Sequence, residues 1–261
     1  HLFQARSGDI VLNTIWLIYN INMKILEGKS VLLLCPSFFS YEKEIFNKIK
    51  EFGALDVFYV NDDPNTFDTF VIETLRHFKL STKNQIKHFE KKVKKKIGDK
   101  KFDIVLTICG WALTSHFFEW LRANNLNQGG KMFLYYWDSL KLLKDDIKRW
   151  QFFDKIFTFD PNDYSENNER MNFLPLFYCD YYLQKTVSQP FIYDLVTIGS
   201  FKINRYCDIE KLKENNKDIQ IESVMISKKN IRIHKLFRKK YKNIDLKKIK
   251  FSPLSPNEII D

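Results

Sequence analysis

Asp138 and Asp160 each sit directly behind an apolar run, FLYYW before the first and KIFTF before the second. Residues 133–164 read FLYYWDSLKLLKDDIKRWQFFDKIFTFDPNDY: an apolar run, a helical pattern, then a second apolar run. A strand–helix–strand unit of this kind lays its strands parallel, and ligands settle outside the carboxyl ends of such strands. A carboxylate there can hold a hydroxyl or act as a general base, which makes Asp138 the candidate catalytic residue. Asp160 has a competing role. In Asp160-Pro161-Asn162-Asp163 an Asp precedes a Pro and a further acid, the pattern of an N-cap, a proline at N1 and a first-turn carboxylate. Helix capping is the stronger reading of Asp160, and Asp138-Ser139 is also compatible with a cap.

The other strand tails carry groups of the same kind: Ser37 and Tyr41, Asn61 and Asp62, Gly110 and Trp111, Trp137 before Asp138, Asp163 after Asp160. In a parallel sheet all of them line one rim. Trp111 and Trp137 have the shape of sugar-stacking platforms. Core packing is the competing role for at least one of them, since Trp is highly buried on average. Further along, Gly199-Ser200 closes another apolar run, with Arg205 beyond it. A glycine there lets a ligand approach the backbone, a helix start favours an anion, and Arg205 would pair with a phosphate. The alternative is a tight turn with a solvent-facing arginine.

These residues need elements to hold them. Strands are expected over 30–35, 55–60, 102–108, 132–136 and 155–159, with a short one over 173–177. Helices are expected over 41–52, 66–79, 83–97, 113–124 and 140–152, and Gly129-Gly130 reads as the turn into the strand at 132. Alternation of this kind implies a doubly wound parallel sheet, a Rossmann-like α/β domain over 24–178. Residues 179–192 read as a linker. Alternation resumes over 193–261, with strands at 193–198, 219–226 and 247–251 and helices at 205–215 and 229–241. Those 69 residues are about half of what such a domain usually needs. Ser255-Pro256-Asn257-Glu258 is a capping box that announces a helix just before the last residue. The second α/β domain therefore reads as incomplete, and residues 1–22 read as a leader outside the domain.

Composition narrows the partners. Hydrophobic residues make up 44% of the chain and aromatic ones 16%, enough for a real core and unlike a disordered chain. The formal net charge of +10 points to an anionic partner or to a lysine-rich solvated surface. Two basic stretches stand out, 83–101 and 228–250, and in the first Ile86, Phe89, Val93 and Ile97 have the spacing of a buried helix seam. Either stretch suits anionic lipid headgroups, nucleic acid, or plain solvation. Cys35, Cys109, Cys179 and Cys207 are scattered, with no C-x-x-C pair, which implies a reducing compartment without a zinc site. There is no phosphate-loop, dinucleotide, nucleophile-elbow or zinc-protease motif, and no D-x-D. Neither a metal nor another cofactor is expected.

Taken in order, VLLLCPSFFSY (31–41), FLYYWDSL (133–140), FDKIFTFDPNDY (153–164), FLPLFY (173–178), YDLVTIGSFKINR (193–205) and FSPLSPNEII (251–260) resemble a group of bacterial GT-B-type glycosyltransferase-like proteins of capsule and lipopolysaccharide biosynthesis. The resemblance implies a Rossmann-like half that receives the acceptor, followed by a half that holds a nucleotide-sugar donor. By that logic Ser37, Tyr41, Trp111, Trp137, Asp138, Asp160 and Asp163 face the acceptor, while Gly199, Ser200 and Arg205 lie on the donor side. The expected reaction is transfer of a sugar from a nucleotide sugar to a glycan or lipid-linked acceptor, in the cytoplasm or at the inner membrane surface. This piece is expected to be inactive alone. The alternatives are a non-catalytic module that binds glycan or anionic lipid and, less favoured, a basic nucleic-acid-binding protein.

Overall fold

The computed structural model describes residues 24–38, 40–63, 83–143, 147–179, 192–227 and 241–251. They divide into two compact units, one ending at Phe177 and the other beginning at Tyr178. The helices expected over 66–79 and 229–241, the leader at 1–22 and the capping box at 255–258 fall outside the described residues.

The first unit is built on a six-stranded parallel sheet. Its strands are β1 (Ser30–Leu34), β2 (Asp56–Val60), β3 (Phe102–Ile108), β4 (Leu126–Tyr136), β5 (Lys155–Thr158) and β6 (Met171–Phe173), in the order β2-β1-β3-β4-β5-β6. The chain runs outward from β1 to β2, then crosses back to β3 and continues the other way to β6. That reversal makes the β1–β3 junction the topological switch point, where the loops part and leave a crevice. Val31, Leu32, Leu33 and Leu34 are all but inaccessible. An unbroken apolar run is what a central parallel strand needs, because both of its faces are covered.

Between the strands run α1 (Tyr41–Glu51), α2 (Lys83–Ile97), α3 (Ser115–Asn125), α4 (Leu140–Leu143) and α5 (Pro161–Glu166). Phe89, Val93 and Ile97 of α2 are buried as their spacing predicts, and α3 buries Phe117, Phe118 and Leu121. The lysines of α2 then lie over aromatic rings, Lys94 over Trp120 and Lys96 over Tyr59.

Three expectations are corrected. The segment 140–152 is not one α-helix: α4 ends at Leu143, and 147–152 is a 3₁₀ helix. The tighter winding lets consecutive residues Arg149 and Trp150 both reach the Tyr136 hydroxyl, at 3.1 and 2.9 Å. Gly129-Gly130 does not precede β4 but lies inside it. Phe102 pairs with Leu126 while Ile104 pairs with Lys131, so the strand bulges between the two pairings. Gly129 takes φ 77°, and a Cβ on Gly130 would come within 2.8 Å of Leu126 Cγ. The last strand of the sheet is Met171–Phe173 rather than 173–177.

The second unit has a three-stranded parallel sheet, β7 (Leu195–Ser200), β8 (Ile221–Ile226) and β9 (Ile249–Lys250), ordered β7-β8-β9, with α6 (Ile203–Asn215) between the first two. Its small core gathers Tyr206, Met225, Ile244 and Ile249. Among the described residues β7 is an edge strand whose Leu195 and Val196 are exposed, so the apolar run there does not mark a buried strand. Residues 246–248 form a 3₁₀ turn, which shortens the strand expected over 247–251.

At the start of β5, Asp154 accepts from Arg122 Nη1 and Lys131 Nζ at 3.1 Å each and from the Met132 amide at 2.9 Å. Burial pushes its pKa up, but Arg122, the Met132 amide and Lys131 outweigh this and hold it at about 2. A pKa below the unfolded value of about 3.9 adds stability above that value, which is lost as pH falls from about 4 to about 2. Asp154→Ala should cost about 1–2 kcal/mol near neutral pH, since the site is partly screened by solvent. Urea unfolding of both proteins checks this, and the gap between them should narrow on acidification through that window.

Candidate functional site

The rim at the carboxyl ends of β1 to β5 is built from loops that are each tied by a named side chain. After β1, Glu42 of α1 is buried and accepts from Ser37 Oγ and from the Phe38 amide, both at 3.1 Å. Ser40 reverses the chain into the helix at φ 64°. After β3, Glu90 of α2 accepts from the amide and the hydroxyl of Thr114, both at 2.6 Å, and so fixes the entry to α3.

The strongest tie lies between these, at the tail of β3. Cys109 and Gly110 are both left-handed, at φ 59° and 63°. A side chain on Gly110 would strike Thr107 Cγ2 at 2.9 Å, so this position needs glycine. The turn aims two successive carbonyls at Arg149, whose Nη1 donates to Gly110 O at 2.6 Å and whose Nη2 donates to Cys109 O at 2.7 Å. Arg149 is only 2% exposed and also lies over the ring of Tyr136. A planar guanidinium can hold both carbonyls at once, which a lysine ammonium cannot do with the same geometry. The turn then delivers Trp111 to the surface, 56% exposed.

Trp111 is therefore open to solvent, whereas Trp137 packs in a cluster. Phe38, Tyr41, Trp137 and Phe177 meet at ring separations of 5.5 to 6.4 Å, mostly tilted or edge to face. Tyr41 and Trp137, far apart in sequence, are thus brought together. Phe38 and Phe177 complete the wall. The segment carrying Phe177 is held by Tyr135, whose hydroxyl donates to Pro175 O at 3.1 Å. Asp138, partly exposed, follows Trp137 at this wall. Burial pushes the Cys109 thiol up to about 12, and the nearby charges of Asp138 and Asp62 add to the rise.

Asp160 and Asp163 do different work. Asp160 caps α5, accepting from the Asn162 amide at 2.8 Å, and that bond with Ser139 holds its pKa below the usual range. Asp163 accepts from the Leu140 amide at 2.8 Å, tying the start of α4 to α5. Burial raises its pKa against the pull of that amide. Ser37 is occupied with Glu42. In the second unit Arg205 bends back on its own turn, donating to Ser200 O at 2.9 Å, and its Nη1 would lie 2.7 Å from a Cβ on Gly199. The glycine makes room for the arginine.

Sequence reasoning passed over Arg149, which lay inside an expected helix, and gave Asp62 no role beyond its place at a strand tail. Asp62 is 2% exposed, and neither carboxylate oxygen has a hydrogen-bond partner among the described residues. Burial and the neighbouring Asp63 raise its pKa well above the usual carboxylate range, opposed by its own amide and the Gly110 amide, which approach it without reaching hydrogen-bond geometry, and by the Arg149 charge. Among the described residues no three His, Cys, Asp or Glu side chains converge as a metal site would require.

No family model and no curated protein matches this chain. Among solved structures it is similar to sucrose-phosphate synthase from Thermosynechococcus elongatus, with TM-score 0.42 and 15% identity over 89% of this chain and 72% of that one. It is similar to MurG of Acinetobacter baumannii, with TM-score 0.40 and 10% identity over 87% and 66%. It is also similar to CalG4, the calicheamicin glycosyltransferase, with TM-score 0.40 and 10% identity over 89% and 69%. These are likenesses of arrangement at low identity, and the reading of function rests on the residues of this chain.

Asp62 carries a stability consequence of fixed sign. Its folded pKa lies above the unfolded one, so its contribution is most favourable below about pH 4 and worsens as pH rises through the folded value. Asp62→Asn should therefore stabilise the protein by about 1–3 kcal/mol at mildly alkaline pH and by little near pH 4. Thermal melts across pH check it, and a variant less stable than the parent at every pH would contradict the assignment.

Proposed function

We propose that this chain is part of a glycosyltransferase of the GT-B type, acting in the synthesis of a bacterial surface polysaccharide or lipopolysaccharide. The first unit receives a glycan or lipid-linked acceptor, and the donor is a nucleotide sugar. The observation that carries this reading is the rim at the switch point. A wall of Phe38, Tyr41, Trp137 and Phe177 stands beside Asp138, with Trp111 exposed after the neighbouring strand. Aromatic faces suit the apolar face of a sugar ring, and a carboxylate beside them can take the proton from an attacking hydroxyl.

The test is release of nucleoside diphosphate from UDP- and GDP-sugars, with and without oligosaccharide acceptors. Asp138→Asn should lower turnover by about 10²-fold or more. Turnover unchanged in both Asp138→Asn and Arg205→Ala would remove these residues from the site.

One observation favours a second reading, a module that binds glycan without transferring sugar. Arg205 is engaged by the Ser200 carbonyl of its own turn, which leaves it committed to structure rather than turned toward a phosphate. Saturable oligosaccharide binding without nucleotide release would decide for the module.

The basic helix α2 supports an association with an anionic membrane surface. Lys87, Lys91 and Lys95 recur at one-turn spacing and are exposed, while the helix's acid, Glu90, is turned inward to Thr114. No helix among the described residues is long and apolar enough to cross a membrane, so contact through this face would be peripheral. Flotation with vesicles rich in phosphatidylglycerol should recover the protein at low salt. Reversing the three lysines to Glu should abolish recovery, and equal recovery of the variant would rule this face out.

A further inference from the structure

We infer that the cleft between α5 and β6 is a carbohydrate-binding site in its own right, independent of the acceptor reading of the rim, and that it holds a saccharide by ring stacking and amide hydrogen bonds.

The cleft has a volume of about 610 Å³ and is lined by Pro161, Tyr164, Asn168, Met171, Asn172 and Phe173. That size falls within the span of about 300–1,000 Å³ usual for ligand sites. None of the six belongs to the wall of Phe38, Tyr41, Trp137 and Phe177. Their placement follows from local structure. Pro161, Tyr164 and Asn168 recur at steps of three and four residues, which puts them on one side of α5 and the turn behind it. Asp163 and Asn167 take the other side, where they bond the Leu140 amide and the Asp163 carbonyl. Met171 is buried and forms the floor, while Asn172 and Phe173 are exposed. Among the described residues β6 is the outer strand of its sheet, so the cleft opens at the sheet edge.

The lining selects the class of ligand. Tyr164 and Phe173 are 39% and 46% exposed, with ring centroids 6.2 Å apart and planes tilted by 53°. Two open rings beside a cleft suit the C–H faces of sugar rings. An asparagine amide both donates and accepts, and so does each hydroxyl of a sugar. Asn172 spends one amide hydrogen on Ile156 O, at 3.3 Å. The Asn168 amide and the Tyr164 hydroxyl make no hydrogen bond among the described residues. All six lining side chains are uncharged, so recognition runs through stacking and hydroxyls rather than through an ion pair. The rival occupant is an extended peptide added to the edge of β6. That strand is only three residues long, a short template for the main-chain bonds on which strand addition relies.

The chain's four methionines give a local readout. With isotope-labelled methionine methyls, the Met171 signal, assigned through Met171→Leu, reports on this cleft. Met132 in the core of the first unit and Met225 in the core of the second report elsewhere. The probes are the tetrasaccharides cellotetraose, maltotetraose, chitotetraose and mannotetraose. At least one should move the Met171 signal saturably and leave Met132 and Met225 in place. Tyr164→Ala and Phe173→Ala, both at exposed positions, should each weaken that probe about tenfold, a loss of about 1.4 kcal/mol, with melting curves like the parent's. No shift of Met171 with any tetrasaccharide overturns the inference, as does binding that neither substitution weakens. Tighter binding at Met171 by a short peptide of alternating Thr and Val than by every tetrasaccharide also overturns it, in favour of strand addition. The measurement needs no sugar donor, so a failure of nucleotide-sugar turnover and a failure of this site are separate results.

Discussion

The guanidinium of Arg149 organises the carboxyl end of the sheet. Two left-handed residues in succession are a costly way to end a strand, and Cys109 has no glycine's freedom to adopt one. What holds them is a pair of charge-assisted hydrogen bonds from one planar group, made away from water where such bonds are strongest. The same group shares the Tyr136 hydroxyl with the Trp150 indole, so β3, β4 and the 3₁₀ segment after α4 converge on one point. The exposure of Trp111 follows from that knot.

Around it a common rule holds: a carboxylate satisfies a backbone amide of a loop or helix start, its own or a neighbouring one. Glu42 does so for Phe38, Glu90 for Thr114, Asp163 for Leu140 and Asp160 for Asn162. Each bond removes an orphan amide that a helix start or loop would otherwise leave unpaired. Asp62 departs from the rule, and it does so at the switch point, where a doubly wound sheet leaves room for a ligand. The opposite end of the strands shows no such exception at Asp154, which is bonded on three sides.

Much of this was legible in the residues alone. Unbroken apolar runs such as SVLLL can be little else than central strands, and the seam Phe89, Val93, Ile97 fixes the inner face of α2. Asp160 announced its cap through the proline behind it. The limits have physical causes. Arg149 and Trp150 lie in a stretch whose apolar spacing suits a 3₁₀ helix as well as an α-helix, so the buried guanidinium could not be told from a surface one. Asp163 follows a cap motif and was assigned to its own helix, but its partner is the amide of Leu140, 23 residues back, which no local pattern records. Tyr41 and Trp137 were each placed at the rim, yet their meeting depends on Phe38 and Phe177, and the latter's position is set by a hydrogen bond across forty residues. The exposure of β7 was hidden because its sequence matches that of a covered strand.

That last bond has a bearing on how the chain can be divided. The sheet is complete at Phe173, and by the criterion of paired strands the first unit could end there. Yet the four residues that follow turn back over the strand tails: the Leu174 amide donates to Thr158 O at 2.9 Å, and Pro175 takes the Tyr135 hydroxyl. They bring Phe177 against Tyr41 and Trp137. The boundary of the scaffold and the boundary of the surface it presents are thus different residues. A piece trimmed to its last strand would keep every pairing in the sheet and lose one wall of the place where a ligand would rest.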